Sequence, residues 1–275
     1  MQRSALPFFA YGLFRPGELG FLRLKSFVTS CQPAVVSGEL LVRDGLPIAD
    51  PEGKGAVHGY LLHFDSSAGA SAYRRIIEIE PDRQYRWGET VVDGVRANIL
   101  WGKSPRKGSV LLHAEEWEGK KDPLLTSALD VVEETLHHSA GFEWDLKPLF
   151  RLQMAYLLLW SSIERYVSLR YHLGDKVSEK VSHLAEEPSF ASALAEQVSE
   201  PRYVYRADRP TVRVNLDPRQ PQSSLKYYYQ IRSNITHRGK GVHQDHERMR
   251  HSLSELLEIF RRVLGKAFED ARLDA

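Results

Sequence analysis

The 275-residue chain holds a single cysteine, Cys31. That excludes an intrachain disulfide framework and a cysteine-built zinc cage. Long apolar runs are also missing: the stretch from Ala155 to Trp160 is far too short to span a bilayer, so no membrane partner is expected. The first residues show no basic segment followed by a long apolar core, and a cytoplasmic protein without a secretory leader is the expectation. Neither sign of charge dominates, since 37 Lys and Arg stand against 36 Asp and Glu. Any affinity for a polyanion must therefore come from a local patch. Internal repeats and low-complexity tracts are absent too. What is present, 42% hydrophobic and 27% charged residues, is ordinary globular material, and the length suggests two domains.

The pattern changes character near residue 120. From Leu6 to Trp101 the segments are short and strand-like: Phe8 to Tyr11, Ala34 to Val42, Ala56 to Phe64 and Glu89 to Ile99. Glycines and prolines such as Gly12, Pro16, Gly45, Pro47 and Pro51 punctuate them. After the charged stretch from Glu115 to Lys121, helical periodicity takes over. Leu149 to Tyr171 is apolar on nearly all sides and predicts a central helix; Ala191 to Val198 predicts a short one. Leu253, Leu256, Leu257, Phe260, Val263, Leu264 and Phe268 form one face of a helix from about His251. Between these, Arg202 to Leu216 alternates Tyr203, Tyr205, Val212 and Val214 with polar residues and predicts an extended excursion or hairpin around Arg209-Pro210. Asp217 to Ser224 predicts a loop ending in an N-cap. The expected organisation is a domain over 1–110, a linker over 111–123 and a helical domain over 124–275.

Chemistry concentrates in Arg232-Ser-Asn-Ile-Thr-His237, just before Gly239 and Gly241. A guanidinium that binds phosphate beside an imidazole that moves protons is the minimum equipment for metal-free RNA cleavage. On a straight helix the two lie about 140° apart and about 7.5 Å along the axis, so they converge only where the helix ends, and Gly239 signals such an end. Arg238, Lys240, Arg248 and Arg250 make the surroundings basic. The plain alternative is a basic helix end that complements the helix dipole without catalysis. His237, His243, His246 and His251 invite a metal reading, yet no His-Glu-x-x-His arrangement occurs, and no metal or cofactor is expected. Solvated histidines, or histidines helping to bind a polyanion, fit better. Tyr227, Tyr228 and Tyr229 suit either base stacking or core and dimer contacts.

The segment from Tyr227 to Lys240 with the helix after it resembles the C-terminal core of HEPN-domain proteins, and Met154 to Tyr166 resembles the long central helix of their Apea-like branch. The resemblance covers about residues 124 to 273. It implies an all-α HEPN helical bundle, RNA as substrate, and a homodimer through the helical domain that pairs two Arg/His sets. By that likeness Arg232 holds phosphate and His237 is the general acid or base. Asn234 and Ser233 are weaker candidates for orienting them, and Glu164 either pins the arginine or pairs elsewhere.

At the other end, Tyr11-Gly12-Leu13-Phe14-Arg15-Pro16-Gly17-Glu18 puts a strand before a glycine turn whose N–H groups can face a ligand. With the Gly38-Glu-Leu-Leu and Val57-His-Gly59-Tyr-Leu-Leu strands and the Ile76-Ile-Glu-Ile-Glu80-Pro segment, it resembles the gamma-glutamylcyclotransferase-like fold over residues 6 to 101. That implies a mixed β-barrel, hence an α+β chain of two domains. It also implies a glutamate that shuttles the proton while a gamma-glutamyl amine closes to 5-oxoproline. Glu80 matches that glutamate, with Glu78 the fallback on the same strand face. Leu13 and Phe14 stand where small or hydroxyl residues are usual, and Ile77 where an aspartate is.

The expectation that follows is a HEPN-type endoribonuclease, of use in a toxin–antitoxin or defence setting, with a cyclotransferase-like sensor domain. A cyclotransferase acting on a small gamma-glutamyl ligand is the alternative, and a non-catalytic binding module the third. An antitoxin or regulatory protein is a further candidate partner.

Overall fold

The computed structural model describes residues 4–80, 83–112, 116–119, 122, 124–138, 146–171, 177–238 and 243–273, with backbone alone for 177, 178, 180, 237, 238 and 243–245. The chain is mixed α+β and divides into two compact units, residues 1–123 with 267–275, and residues 124–266.

The first unit contains β1 (Phe8–Ala10), β2 (Val28–Ser37), β3 (Glu39–Arg43), β4 (Leu46–Asp50), β5 (Ala56–Phe64), α1 (Gly69–Ile79), β6 (Tyr85–Val92), β7 (Val95–Gly102) and β8 (Val110–Leu111). Five strands pair in the order β2-β5-β1-β7-β6, and β4-β3-β8 make a smaller sheet. β1 runs antiparallel to β5 and parallel to β7. It is short and wholly apolar because it is covered on both faces: Phe8, Phe9 and Ala10 are all buried. Phe8, Leu62 and Leu100 of the sheet meet Ala72, Tyr73 and Ile76 of α1 in the core. β5 can lie this close to β1 because position 59 is glycine, where a Cβ would come 2.4 Å from the Ala10 carbonyl oxygen.

Strands read as single from the sequence are broken by turns. The run Ala34 to Val42 divides between β2 and β3 at Gly38 (φ 149°). Glu89 to Ile99 folds back at Asp93-Gly94 (φ 48° and 83°), and Asp44-Gly45 (53° and 78°) does the same between β3 and β4. Two consecutive positive-φ residues match the twist of a two-residue hairpin, which is why Asp-Gly sits at both. The segment Ile76 to Glu80 is corrected from strand to helix. Ala72, Tyr73 and Ile76 recur at helical spacing against the core, so α1 carries Glu78, and Glu80 is its C-cap. Residues 267–275 count with this unit: the Gly17 N–H donates to the Ala271 carbonyl (2.7 Å), and Lys25 Nζ to those of Asp270 (3.2 Å) and Arg272 (3.0 Å).

The second unit contains α2 (Ser127–His138), α3 (Lys147–Arg170), α4 (Val177–Leu184), α5 (Pro188–Gln197), β9 (Arg202–Tyr205), β10 (Arg213–Leu216), α6 (Pro221–Arg238) and most of α7 (His243–Asp270). Tyr156, Trp160, Ile163, Tyr166 and Val167 of α3 are all buried, as an apolar central helix requires. The β9–β10 hairpin pairs from Arg213↔Tyr205 to Leu216↔Arg202, so this unit is not purely helical. Val204, buried, pairs with Val214 on one face of the ribbon, while Tyr203 and Tyr205, both exposed, pair with Asn215 and Arg213 on the other. α7 starts earlier than expected, at His243. α6 also begins ahead of Ser224, at Pro221, a residue suited to a first helical position; Ser224 Oγ instead donates back to the Asp217 carbonyl (2.6 Å).

Candidate functional site

Arg232 and His237 both lie on α6, which runs on to Arg238, so helical geometry keeps them about 140° apart in one copy. The side chains of His237 and Arg238, and all of Lys240, lie outside the described residues. Arg232 is well defined. Its guanidinium lies 3.6 Å from Glu164 Oε1 of α3 and over the Tyr229 ring at 5.6 Å from the centroid. Tyr229 is itself braced edge-on against Trp160, one turn before Glu164 (5.4 Å between centroids). Arg232 and Glu164 side chains are 28% and 30% exposed, and no hydrogen bond among the described residues takes the guanidinium donors. The group is aimed by charge and stacking while its N–H groups stay available.

The neighbouring candidates have different duties. Asn234 commits its amide to the hairpin: Oδ1 accepts from the Ala207 N–H (2.9 Å) and from Gln230 Nε2 (2.8 Å), and Nδ2 donates to the Tyr205 carbonyl (2.9 Å). Ser233 is half-buried, and its carbonyl accepts from Thr236 Oγ1 (3.2 Å). Arg250 donates to the Leu136 carbonyl (3.2 Å). Tyr227 and Tyr228 are core residues; Tyr229 alone of the three is half-exposed. Solvated histidines were the expectation, and His246 departs from it. At 1% exposure it is buried, three residues before Met249 and seven before Leu253 on the inward face of α7. No group of three or more potential metal ligands occurs among the described residues, and no described helix is long and apolar enough to cross a membrane.

Sequence reading missed an ionic cluster centred on the buried carboxylate of Glu255. Arg202 of β9 pairs with Glu255 of α7, whose carboxylate also accepts from Tyr228 (3.1 Å) and faces His251 Nε2 (3.1 Å). Burial works against the charge of Arg202, but the Tyr227 hydroxyl and Glu255 outweigh it and hold the guanidinium above its ordinary value. Burial and the Glu255 charge push the Tyr228 hydroxyl well above the tyrosine range, so it stays a proton donor to the carboxylate.

In the first unit, Tyr11, Gly12 and Leu13 follow β1 and line a small cavity with Phe14, Pro47, Tyr85 and Glu80. Gly12 has no room for a side chain, since a Cβ would meet Pro47 Cγ at 2.7 Å. Tyr11 donates to the Leu100 carbonyl, and burial followed by the charge of Glu80 raises its pKa far above the ordinary value. The two carboxylates of the Ile-Glu-Ile-Glu segment separate: Glu80 lines the cavity, while Glu78 is paired to Arg23 at 2.9 Å. Lined by the buried side chains of Leu13 and Phe14, the cavity is only about 20 Å³, room for about one water molecule. Arg15 and Glu18 of the same opening hold residues 116–119. Arg15 pairs with Glu116 and donates to the Trp117 carbonyl (2.8 Å), and Glu18 accepts from the Gly119 N–H (3.0 Å).

No family model matches this chain, and no curated protein matches it. It is similar to a solved structure of an uncharacterized protein from Pyrococcus horikoshii, at 24% identity over 48% of this chain and 98% of that one, with a TM-score of 0.34.

Proposed function

We propose that the chain is a metal-independent endoribonuclease of HEPN type, its helical unit a HEPN bundle and its first unit a gamma-glutamylcyclotransferase-like barrel serving as sensor or recognition module. The observation that carries this reading is the state of Arg232: half-exposed, oriented by Glu164 and Tyr229, with its hydrogen-bond donors uncommitted among the described residues. In the reaction, the RNA 2′-oxygen attacks the adjacent phosphorus and the 5′-oxygen leaves, giving a 2′,3′-cyclic phosphate and a 5′-hydroxyl. One proton departs the nucleophile and one reaches the leaving oxygen. Arg232 meets the charge that builds on the phosphoryl oxygens, where a guanidinium fork is most effective. His237 transfers a proton. A single Arg/His set offers one proton-transfer residue for two transfers, so two copies of the chain bring the complement together through the helical unit.

The cyclotransferase reading keeps one supporting feature, Glu80 beside Tyr11 in the same cavity. The volume weighs against it. Sites for small molecules occupy roughly 300–1,000 Å³, and a gamma-glutamyl amine does not fit in about 20 Å³. Incubating the full chain with mixed RNA and a chelator tests the ribonuclease reading. Cleavage to cyclic-phosphate ends is expected, falling about a hundredfold or more in Arg232→Ala and His237→Ala. Cleavage that both variants leave intact, or none in the wild type, rules the reading out.

A further inference from the structure

A second cavity, about 300 Å³, opens between α4, β10 and α6. Its wall is apolar and aromatic at Val214 and Tyr229, and polar groups reach it from Lys226, Arg206, Gln222 and Gln230. Tyr229 joins it to the proposed phosphate site, because the ring that lines the cavity is the one over which Arg232 lies.

The polar groups have a definite sense. Gln230 Nε2 donates to Asn234 Oδ1 (2.8 Å) and Gln222 Nε2 to the Ser182 carbonyl (3.2 Å). Each amide is thereby oriented, and its oxygen has no hydrogen-bond partner among the described residues. Lys226 makes no ion pair or hydrogen bond among them either, whereas Arg206 is held by Asp208 through two contacts (3.0 and 2.7 Å). The cavity thus offers an ammonium donor, two fixed carbonyl acceptors and a flat ring. A planar heterocycle carrying an acceptor edge beside N–H donors complements that set. Guanine does so: its O6 and N7 accept from a cation such as Lys226, and its N1–H and N2–H₂ suit a single amide oxygen, since Gln222 and Gln230 stand about 12 Å apart along α6. Unpaired bases of single-stranded RNA are read in this manner, by aromatic rings and by hydrogen bonds to their edges.

We infer that this cavity is a nucleobase subsite for single-stranded RNA, selecting guanine in the nucleotide next to the phosphate on Arg232. It rests on the ribonuclease reading for its substrate but is tested without cleavage. Affinities of the full chain are compared for an uncleavable 2′-O-methyl oligonucleotide carrying guanine at that position and for its adenine counterpart. Edge contacts predict about a tenfold preference for the guanine strand. Lys226→Ala should narrow that gap, and Val214→Trp, which fills the cavity, should close it at an unchanged melting temperature. Equal affinity of the wild type for the two strands, or a gap that Lys226→Ala leaves untouched, overturns the subsite. Cleavage that depends on Arg232 but shows no base preference overturns the subsite alone. Base-dependent binding by a chain that cuts no RNA supports the subsite and removes the ribonuclease reading.

Discussion

Substituting Glu255 by Gln tests how the hairpin is tied to the helices. The Glu255 side chain is 6% exposed and takes Arg202, Tyr228 and His251 together, while Arg202 remains 24% exposed. Glutamine preserves shape and an acceptor for Tyr228, but leaves the guanidinium without its counter-charge. Breaking a buried pair from one side costs about 3–5 kcal/mol. Water reaching the part of Arg202 that is exposed offsets some of this, so a loss of about 2–3 kcal/mol is expected. At roughly 2–4 °C per kcal/mol for a domain of this size, the melting temperature should drop by about 4–12 °C. Calorimetry on the full chain reads it directly. The companion variant Arg202→Met with Glu255→Leu removes both charges and should recover much of the loss, because no charge is left uncompensated. A Glu255→Gln protein that melts with the wild type, or a double variant no more stable than the single, would refute the reasoning.

The purified chain should release no 5-oxoproline from a panel of gamma-glutamyl amines, since the cavity that Glu80 lines with Leu13 and Phe14 is only about 20 Å³; chromatographic product that vanishes in Glu80→Gln would reinstate the cyclotransferase. The hydrogen bond and charge of Arg261 hold the Glu133 carboxyl below its ordinary value. A carboxyl so depressed stabilises the fold above its unfolded pKa and ceases to as pH falls through the folded one. The melting-temperature gap between wild type and Glu133→Gln should accordingly be present at neutral pH and close in acid, and a gap independent of pH would contradict that account.

Legibility varied with how local the determining physics is. The β9–β10 ribbon was visible because period-two alternation is a property of a few neighbouring residues, although its buried side is that of Val204, with Tyr203 and Tyr205 turned outward. α5 and the buried face of α7 were visible for the same reason. The segment Ile76-Glu-Ile-Glu80 also alternates, yet it is helical up to Ile79. Four residues cannot decide between periods of 2 and 3.6, and the deciding partners, Ala72 and Tyr73, lie upstream in contact with the sheet. Glu164 stood out as a charge within an apolar helix, and Arg232 was among its open choices of partner. By contrast, Arg202 meets Glu255 across 53 residues, and the α4–β10–α6 cavity gathers residues from 181 to 230. Convergence of that kind leaves no trace in spacing. The burial of His246 is a milder case: it required knowing that α7 begins at His243 rather than near His251.

The first unit is discontinuous along the chain, and this constrains its biosynthesis. Residues 267–275 emerge from the ribosome only after the whole of 124–266 has been made, so Gly17 and Lys25 must wait for the carbonyls of Ala271, Asp270 and Arg272 through translation of the entire intervening unit. A nascent fragment ending at 123 lacks those three acceptors, and Gly17 and Lys25 meet them only once the intervening unit has been synthesised.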